Sequence, residues 1–237
     1  MGQSMRVIDD NLQAVQGRIA RAAAAAGRDP LSVTLLAVSK SHPAALVEQA
    51  LDAGQRAFGE NYVQEAAEKM DALAGKGVEW HLIGPLQSNK TKLAAARFDW
   101  VHTVESEKIA RRLSDQRPAG MAALNVLIQV NVSGEASKSG VSSADVLRLA
   151  IAVSSLPRIR LRGLMAIPEP TADAARQKAN FRQLREIFEK LKKEKFELDT
   201  LSMGMSDDME AAIAEGATLV RIGTAIFGAR QRIRPAA

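Results

Sequence analysis

The sequence predicts an α/β fold, a single (β/α)8 TIM barrel with an extra helix at its N-terminus. Eight short apolar segments are each followed by a stretch with helical spacing. These strand-then-helix units occupy about 200 residues, which is close to the usual size of such a barrel. No linker rich in Pro, Gly or Ser separates them, so we expect one domain over residues 1–237.

The predicted strands are runs of apolar and β-branched residues that end in turn-forming residues. Continuous rather than alternating hydrophobicity is typical of strands buried on both faces of a parallel sheet. The clearest run is NVLIQVNV, within the fifth strand. In chain order the strands are Val33–Ser39, Arg56–Gly59, Val78–Ile83, Trp100–Val104, Leu124–Val132, Ile159–Ile167, Leu198–Met203 and Leu219–Ile222.

The first predicted helix, residues 4–27, is amphipathic and ends at Gly27. Pro43 stands where a first helical turn tolerates proline, so it predicts the start of the helix after the first strand, and Gly54 ends that helix. The helices that follow the strands are Ala44–Ala53, Val63–Ala74, a stretch through Ala96, Ser106 to about Leu113, Ser143–Ser154, a long charged helix containing Phe181–Lys193, Asp207–Glu215 and Gly223–Phe227.

A doubly wound open sheet is the alternative architecture. It needs fewer strands and a Gly-x-Gly-x-x-Gly turn after the first one. That turn is missing from the sequence, which favours the barrel.

Composition excludes several kinds of site. Cys is absent, which excludes disulfides and thiolate chemistry and fits a reducing cytosol, where we expect the protein to reside. The three histidines form no zinc motif, and the apolar runs are shorter than the ~20 residues of a membrane span. The net charge is +5, but basic residues alternate with acidic ones and aromatic content is 4%, so we expect no nucleic-acid partner.

Lys40 stands directly after the first strand, in LLAVSK. In α/β barrels the C-terminal ends of the strands carry the ligand site. A lysine in apolar surroundings there can have its amine pKa lowered enough to attack a carbonyl. Many strands also end in an ordinary solvated lysine, so the strand alone leaves both interpretations open.

Two later segments suggest a phosphate site. MGMSDD after the seventh strand places Ser206 at the start of a helix, and RIGTA after the eighth does the same with Gly223 and Thr224. Loops after strands seven and eight, with free N–H groups at helix starts, form the usual phosphate site of these barrels. Ser206 as a simple helix cap and Gly223 as a close-packing residue are the alternatives. A lysine and a phosphate site together suggest a phosphorylated aldehyde as ligand.

The blocks LLAVSK, FGENYVQEA, WHLIGPLQSNK, VNVSGEASKSG, LRGLMAI and LSMGMSDDMEAAIAEGATLVRIGTAIFG resemble the pyridoxal-phosphate homeostasis protein family. The barrel of that family is similar to the N-terminal domain of alanine racemase. The resemblance covers residues 7 to 230, nearly the whole chain. It implies pyridoxal 5′-phosphate (PLP) as cofactor, bound as a Schiff base on Lys40. It also implies phosphate contacts from Ser206, Gly223 and Thr224, and Arg221 near the ring nitrogen of the cofactor.

Asn61 and His81 match family motifs near the site, and Met203 at the end of the seventh strand completes the candidate cofactor-binding residues. No catalytic residue and no metal ligand is expected. One departure from the family pattern is His42, at a position that is often basic in relatives. It puts in doubt any role for a second lysine in that loop.

The expected function is to hold PLP and contribute to vitamin B6 homeostasis without efficient catalysis. PLP enzymes usually hold the ring nitrogen protonated with a carboxylate, and Arg221 in that place weakens carbanion chemistry. Racemisation also needs an acid or base on each face of the substrate carbon. Racemase-like enzymes take the second base from a tyrosine of an additional domain of a partner subunit. The only tyrosine here, Tyr62, suits a packing role better, and we expect no such domain after Phe227.

An amino-acid racemase is the alternative function, and a Schiff-base aldolase without cofactor is the third. PLP-dependent apo-enzymes are expected as possible recipients of the cofactor. We expect a monomer and no membrane association. The role of Lys138 is left open.

Overall fold

A computed structural model describes residues 2–133, 139–171 and 173–229. In this part of the chain, eight parallel strands pair in sequence order and β8 pairs with β1, which closes the barrel and confirms the predicted fold. The strands are β1 (Thr34–Val38), β2 (Ala57–Glu60), β3 (Glu79–Leu82), β4 (Trp100–Val104), β5 (Leu124–Gln129), β6 (Ile159–Met165), β7 (Thr200–Ser202) and β8 (Leu219–Ile222).

Helices alternate with these strands and cover the outside of the barrel. They are α1 (Gly2–Ala25), α2 (Ala44–Asp52), α3 (Val63–Ala72), α4 (Thr91–Arg97), α5 (Glu107–Gln116), α6 (Val146–Ser154), α7 (Ala174–Lys193), α8 (Met209–Ala214) and α9 (Thr224–Phe227). Short 3-10 turns lie at Pro30–Ser32 and Ser88–Lys90. No helix within the described residues is long and apolar enough to cross a membrane.

Several element boundaries differ from the predicted ones: β5, β6 and β7 end at Gln129, Met165 and Ser202, before their predicted ends. The long charged helix predicted to contain Phe181–Lys193 is α7, and the carboxylate of Asp173 caps its start by accepting hydrogen bonds from the N–H groups of Ala175 and Arg176. The α6 helix begins at Val146 rather than at Ser143, after a turn whose backbone N–H of Asp145 bonds the carbonyl of Ser142.

The predicted N-terminal helix is present as α1, and it packs against α2, α8 and the one-turn helix α9. Four buried residues spaced three or four apart, Leu12, Val15, Ile19 and Ala23, form its inner stripe. The side-chain amide of Asn11 donates to the carbonyl of Ile226 at 2.9 Å. Helix α1 therefore fills the ring of helices beside α9 and supports the segment that follows β8.

Apolar side chains form two layers, because successive residues of a strand point to opposite faces. Leu35 and Ala37 of β1 belong to the large cluster between barrel and helices. Leu36 and Val38 alternate with them and pack in a small separate cluster, which places them in the barrel interior. The interior also holds buried polar side chains, which lie beneath the candidate site.

Candidate functional site

A cavity of about 180 Å³ opens at the C-terminal ends of the strands. This is smaller than the ~300–1,000 Å³ of drug-sized ligand sites, so it suits a small ligand built on a single ring. Its lining includes apolar side chains such as Val38, Ile83 and Ile167. Six of the eight predicted cofactor-binding residues line the cavity: Lys40, Asn61, Ser206, Arg221, Gly223 and Thr224.

Lys40 lies in the turn that follows β1 and is half-buried. Ser41, the next residue, has a φ of 63°, a left-handed conformation that is unfavourable for a non-glycine residue. The turn is closed by a 3.1 Å hydrogen bond from the N–H of His42 to the carbonyl of Ser39. This local geometry aims Lys40 at the cavity, and it needs support from neighbouring elements.

That support comes from Lys69 on α3, whose ammonium group is buried. It donates to the carbonyl of Ser39 at 2.8 Å and to the carboxylates of Glu60 and Glu65, both at 2.7 Å. Glu65 in turn accepts the N–H of Ser41 at 2.6 Å. One ammonium group thus fixes the residues on both sides of Lys40.

Glu60, at the end of β2, is completely buried. Its Oε1 accepts from the hydroxyl of Ser39 at 2.6 Å as well as from Lys69. Burial raises the pKa of this carboxyl group, and the nearby Lys69 offsets part of that rise. Among the described residues no donor reaches its other oxygen, Oε2. The ion pair with Lys69 is therefore what makes an ionised Glu60 tolerable in the interior.

Arg221 lies in β8 with its guanidinium group buried below the cavity. Its Nη1 donates to the carbonyl and the hydroxyl of Ser202, both at 2.7 Å, and its Nη2 donates to the carbonyl of Ala166 at 2.8 Å. Burial lowers the pKa of Arg221 to about 10, with Asp208 acting in the opposite direction. The group therefore stays charged at neutral pH, and a guanidinium can only donate hydrogen bonds.

The loop between β7 and α8 brings Ser206 to the cavity. Gly204 is required there, because its φ is 95° and a Cβ would lie 2.6 Å from the Cβ of Ala212. The carboxylate of Asp208 accepts the N–H of Met205 at 2.6 Å, and the guanidinium of Arg18 on α1 holds the carbonyl of Ser206 at 3.2 Å. Loop and helix together fix the position of Ser206.

Gly223 and Thr224 form the junction between β8 and α9. A Cβ at Gly223 would lie 3.0 Å from the carbonyl oxygen of Val38, so glycine lets this junction approach the strand that leads to Lys40. The first N–H groups of a helix have no partner within the helix, and α9 starts at the cavity, so its first N–H groups lie there. These groups and the hydroxyls of Ser206 and Thr224 are suitable donors to an anion.

Two predicted site residues do not line this cavity. Met203 is fully buried in the large apolar cluster. His81 is buried inside the barrel, where it contacts His102 and Glu79. The alternation of β3 explains this: His81 points into the barrel interior, below the ligand site.

Tyr62 and Lys138 are two further positions that the sequence singled out. Tyr62 is 58% exposed, so the predicted packing role was wrong: it lies two residues after β2, at the N-cap of α3. Lys138 lies outside the described residues. Within the described ranges, no group of three or more His, Asp or Glu side chains is placed to hold a metal ion.

The residues that sequence reasoning missed are those that support the site. Lys69 was not singled out, although Glu65 and Lys69 are spaced four apart and predict an ion pair on one helix face. That spacing is typical of solvated helices and does not show burial. The roles of Ser202 and His102 had no local signal.

The donors around the cavity fit PLP. The amine of Lys40 matches an aldehyde, and Arg221 can donate to a ring nitrogen. The hydroxyls of Ser206 and Thr224, with the first N–H groups of α9, match a phosphate. Dinucleotide cofactors are too large for this space.

Comparisons with known proteins identify the family. The protein-family model described as alanine racemase, N-terminal domain, matches residues 11–231 of this chain. The pyridoxal phosphate homeostasis protein of Pseudomonas aeruginosa is 61% identical over 232 residues, 98% of this chain and 100% of that protein. The protein of the same name from Escherichia coli K12 is 57% identical over 229 residues, 95% of this chain and 98% of that protein.

A solved structure is also similar. It is that of PipY from Synechococcus elongatus PCC7942 with PLP bound, which is 38% identical, with a TM-score of 0.82. The match covers 93% of this chain and 100% of that chain. The resemblance seen in the sequence is confirmed, and the chain belongs to the pyridoxal phosphate homeostasis protein family, whose barrel is of the alanine racemase N-terminal type.

Proposed function

We propose that this protein binds PLP as a Schiff base on Lys40 and contributes to PLP homeostasis without efficient catalysis. The observation that carries the proposal is the convergence of Lys40, Arg221, Ser206 and Thr224 on one small cavity. The Schiff base forms when the amine of Lys40 adds to the aldehyde carbon and water leaves. The names of the relatives and the PLP in PipY support the same ligand.

The surroundings of the ring nitrogen support holding rather than turnover. Arg221 donates and cannot accept a hydrogen bond, so a ring nitrogen beside it stays unprotonated. PLP supplies its electron sink most strongly when a carboxylate keeps that nitrogen protonated. The part of the cavity lining that is described includes no Asp or Glu.

Among the described lining residues there is also no clear second acid or base for the opposite face. Besides Lys40 and Arg221, the titratable side chain there is His42, which follows Lys40 by two residues in the same turn. Its ring packs 5.3 Å from that of Phe227. Racemisation needs one acid or base on each side of the substrate carbon, and the described lining offers Lys40 and His42 from a single turn.

The experiment is a PLP titration followed by absorbance, then borohydride reduction and mapping of the modified lysine by mass spectrometry. We expect a visible Schiff-base band and a single label on Lys40. Lys40→Ala should lose both, while Lys108→Ala, at an exposed position of α5, should keep them. A band that persists in Lys40→Ala, or a label on another lysine, would refute the assignment. Robust interconversion of any D- and L-amino acid would instead establish the racemase.

We also propose that PLP-dependent apo-enzymes receive the cofactor and that the protein acts in the cytosol as a monomer. Incubating the PLP-loaded protein with an apo-enzyme and following the recovery of that enzyme tests the transfer. Light scattering at several concentrations tests the oligomeric state, and a stable dimer would contradict it.

A further inference from the structure

A continuous row of hydrogen bonds runs through the barrel interior from Arg221 to the start of β3. Ser202 Oγ lies 2.7 Å from Nη1 of Arg221 and 3.0 Å from Nδ1 of His102. Nε2 of His102 lies 2.9 Å from Nδ1 of His81, and Nε2 of His81 lies 2.7 Å from the carboxylate of Glu79. All of these side chains are buried except that of Glu79, which is half exposed.

The chemistry of the two ends fixes the direction of every bond. An ionised carboxylate can only accept, so the proton of neutral His81 lies on Nε2 and its Nδ1 accepts. His102 must then donate from Nε2 and accept at Nδ1. The hydroxyl of Ser202 donates to Nδ1 of His102 and accepts a hydrogen bond from Arg221, whose guanidinium can only donate. Each ring nitrogen then has one role, and all donors point towards Glu79.

The protonation states that this pattern requires agree with the surroundings. Burial lowers the pKa of His81 and lowers that of His102 well below its usual value, so both rings are neutral at pH 7. The hydrogen bond from His81 lowers the pKa of Glu79, which keeps that carboxylate ionised. Trp100 stacks on His81 at 5.2 Å, and the guanidinium of Arg162 lies over the Trp100 ring at 4.7 Å, which shields the row from water.

We propose that Glu79, His81, His102 and Ser202 are positioning residues that orient Arg221 towards the cofactor through this one-directional row. The proposal deepens the proposed function and rests on it. Ser202 occupies Nη1 through its carbonyl and hydroxyl, and Ala166 occupies one N–H of Nη2, so the plane of the guanidinium is fixed from below. The remaining N–H groups are then presented to a ligand in the cavity. The role that His81 has in the site is thus indirect, through Arg221.

The direction of the row can be measured without any cofactor. The full chain contains three histidines, so ¹⁵N-histidine labelling gives a spectrum that can be assigned by His→Gln variants. We expect neutral rings with the proton on Nε2 for both His81 and His102. Glu79→Lys places a donor at the exposed end and should move the proton of both rings to Nδ1, whereas Glu48→Lys, whose side chain lies at the surface of α2, should change neither.

The proposal would be overturned if either ring were charged at pH 7 or carried its proton on Nδ1 in the unaltered protein. It would also be overturned if the proton of His102 stayed on Nε2 in a folded Glu79→Lys variant. If Glu79→Lys does not fold, Ser202→Ala decides instead: Nδ1 of His102 must keep the resonance of an unprotonated nitrogen and shift as an acceptor that has lost its donor, and a protonated Nδ1 would overturn the proposal.

The link to the cofactor is tested by PLP affinity. Ser202→Ala should weaken PLP binding about tenfold, since Arg221 loses one charged hydrogen bond that orients it. Unchanged affinity in Ser202→Ala, in a protein that still loses PLP on Lys40→Ala, would overturn the positioning role and leave the proposed function intact. Absence of PLP binding in the unaltered protein would refute the proposed function, and with it the cofactor role of the row, while the ring protons would still report its direction.

Discussion

Replacing Lys69 by Met removes the ammonium group that joins Glu60, Glu65 and the carbonyl of Ser39. Methionine has nearly the same length and volume, so the change deletes a charge and three hydrogen bonds without opening a large cavity. Glu60 is completely buried, and its Oε1 would keep only the hydroxyl of Ser39 as donor. The variant therefore isolates the electrostatic part of the support around Lys40.

The expected cost follows from the burial of the pair. Removing one partner of a buried ion pair costs about 3–5 kcal/mol, because the other charge is left uncompensated. A typical domain has only about 5–15 kcal/mol of stability in total. Burial already raises the pKa of Glu60, and loss of Lys69 removes the main opposing influence. Protonation of Glu60 is then the way for the folded chain to avoid a buried unpaired charge.

The sign of the pH dependence follows from this raised pKa. The folded variant holds the proton of Glu60 more tightly than the unfolded chain, so its stability is greatest below the ordinary carboxyl pKa. Stability falls as the pH rises from the ordinary value through the raised folded value. The difference between Lys69→Met and the unaltered protein should accordingly be small at about pH 4 and reach its full size near pH 8.

Urea unfolding at these two pH values measures the effect. Lys76→Met is the matched control, because Lys76 pairs with Glu48 at the surface, and exposed pairs contribute about 0–1 kcal/mol. Glu60→Gln combined with Lys69→Met should recover much of the loss, since both charges are then gone. A Lys69→Met variant that loses no more stability than Lys76→Met, or one whose loss does not depend on pH, would refute the reasoning.

Three further predictions concern the rim of the site. Gly84→Ala places a Cβ 2.2 Å from the carbonyl oxygen of Asn61 and should lower the free energy of unfolding in urea by about 1–3 kcal/mol or more. Gly120→Ala, with open space around it, should cost far less, and equal losses of stability would contradict the close contact. Arg18→Ala should change stability by less than about 1 kcal/mol, because its ion pair with Glu210 is exposed. It should weaken PLP binding several-fold, because Arg18 holds the carbonyl of Ser206, and an unchanged affinity in a titration would contradict this. Tyr62→Phe should leave PLP loading and any amino-acid turnover unchanged, and lost turnover would make Tyr62 a catalytic candidate.

Much of the barrel could be predicted because each unit carries its own signal. The run Leu35–Val38 is apolar on both faces, and Trp100–Val104 and Leu219–Ile222 were predicted with the bounds that the structure has. The prediction was less accurate at strand ends: β5 and β6 stop at Gln129 and Met165, before the end of the apolar runs from which they were predicted. Where a strand stops depends on backbone pairing with its neighbours, which a hydrophobic pattern does not contain.

The candidate site was predictable where it follows strand ends. Lys40, Asn61, Ser206, Gly223 and Thr224 each lie just beyond a strand or at the start of a helix, and closing the barrel brings such positions together. Met203 and His81 are the predicted residues that do not line the cavity, and Met203, the residue after β7, is buried in the large apolar cluster. His81 lies one residue before the end of β3, and the alternation of the strand turns it into the barrel rather than towards the cavity.

The sequence by itself determined the fold class, the family and the lysine that we expect to hold the cofactor, because these depend on periodicity and on contiguous motifs. Only the tertiary structure decided what supports that lysine and Arg221. Lys69 reaches Ser39 across 30 residues, and Ser202 joins His102 across 100. Such contacts form between elements that closure of the barrel brings side by side. Burial then makes each unpaired charge costly enough that its partner becomes essential.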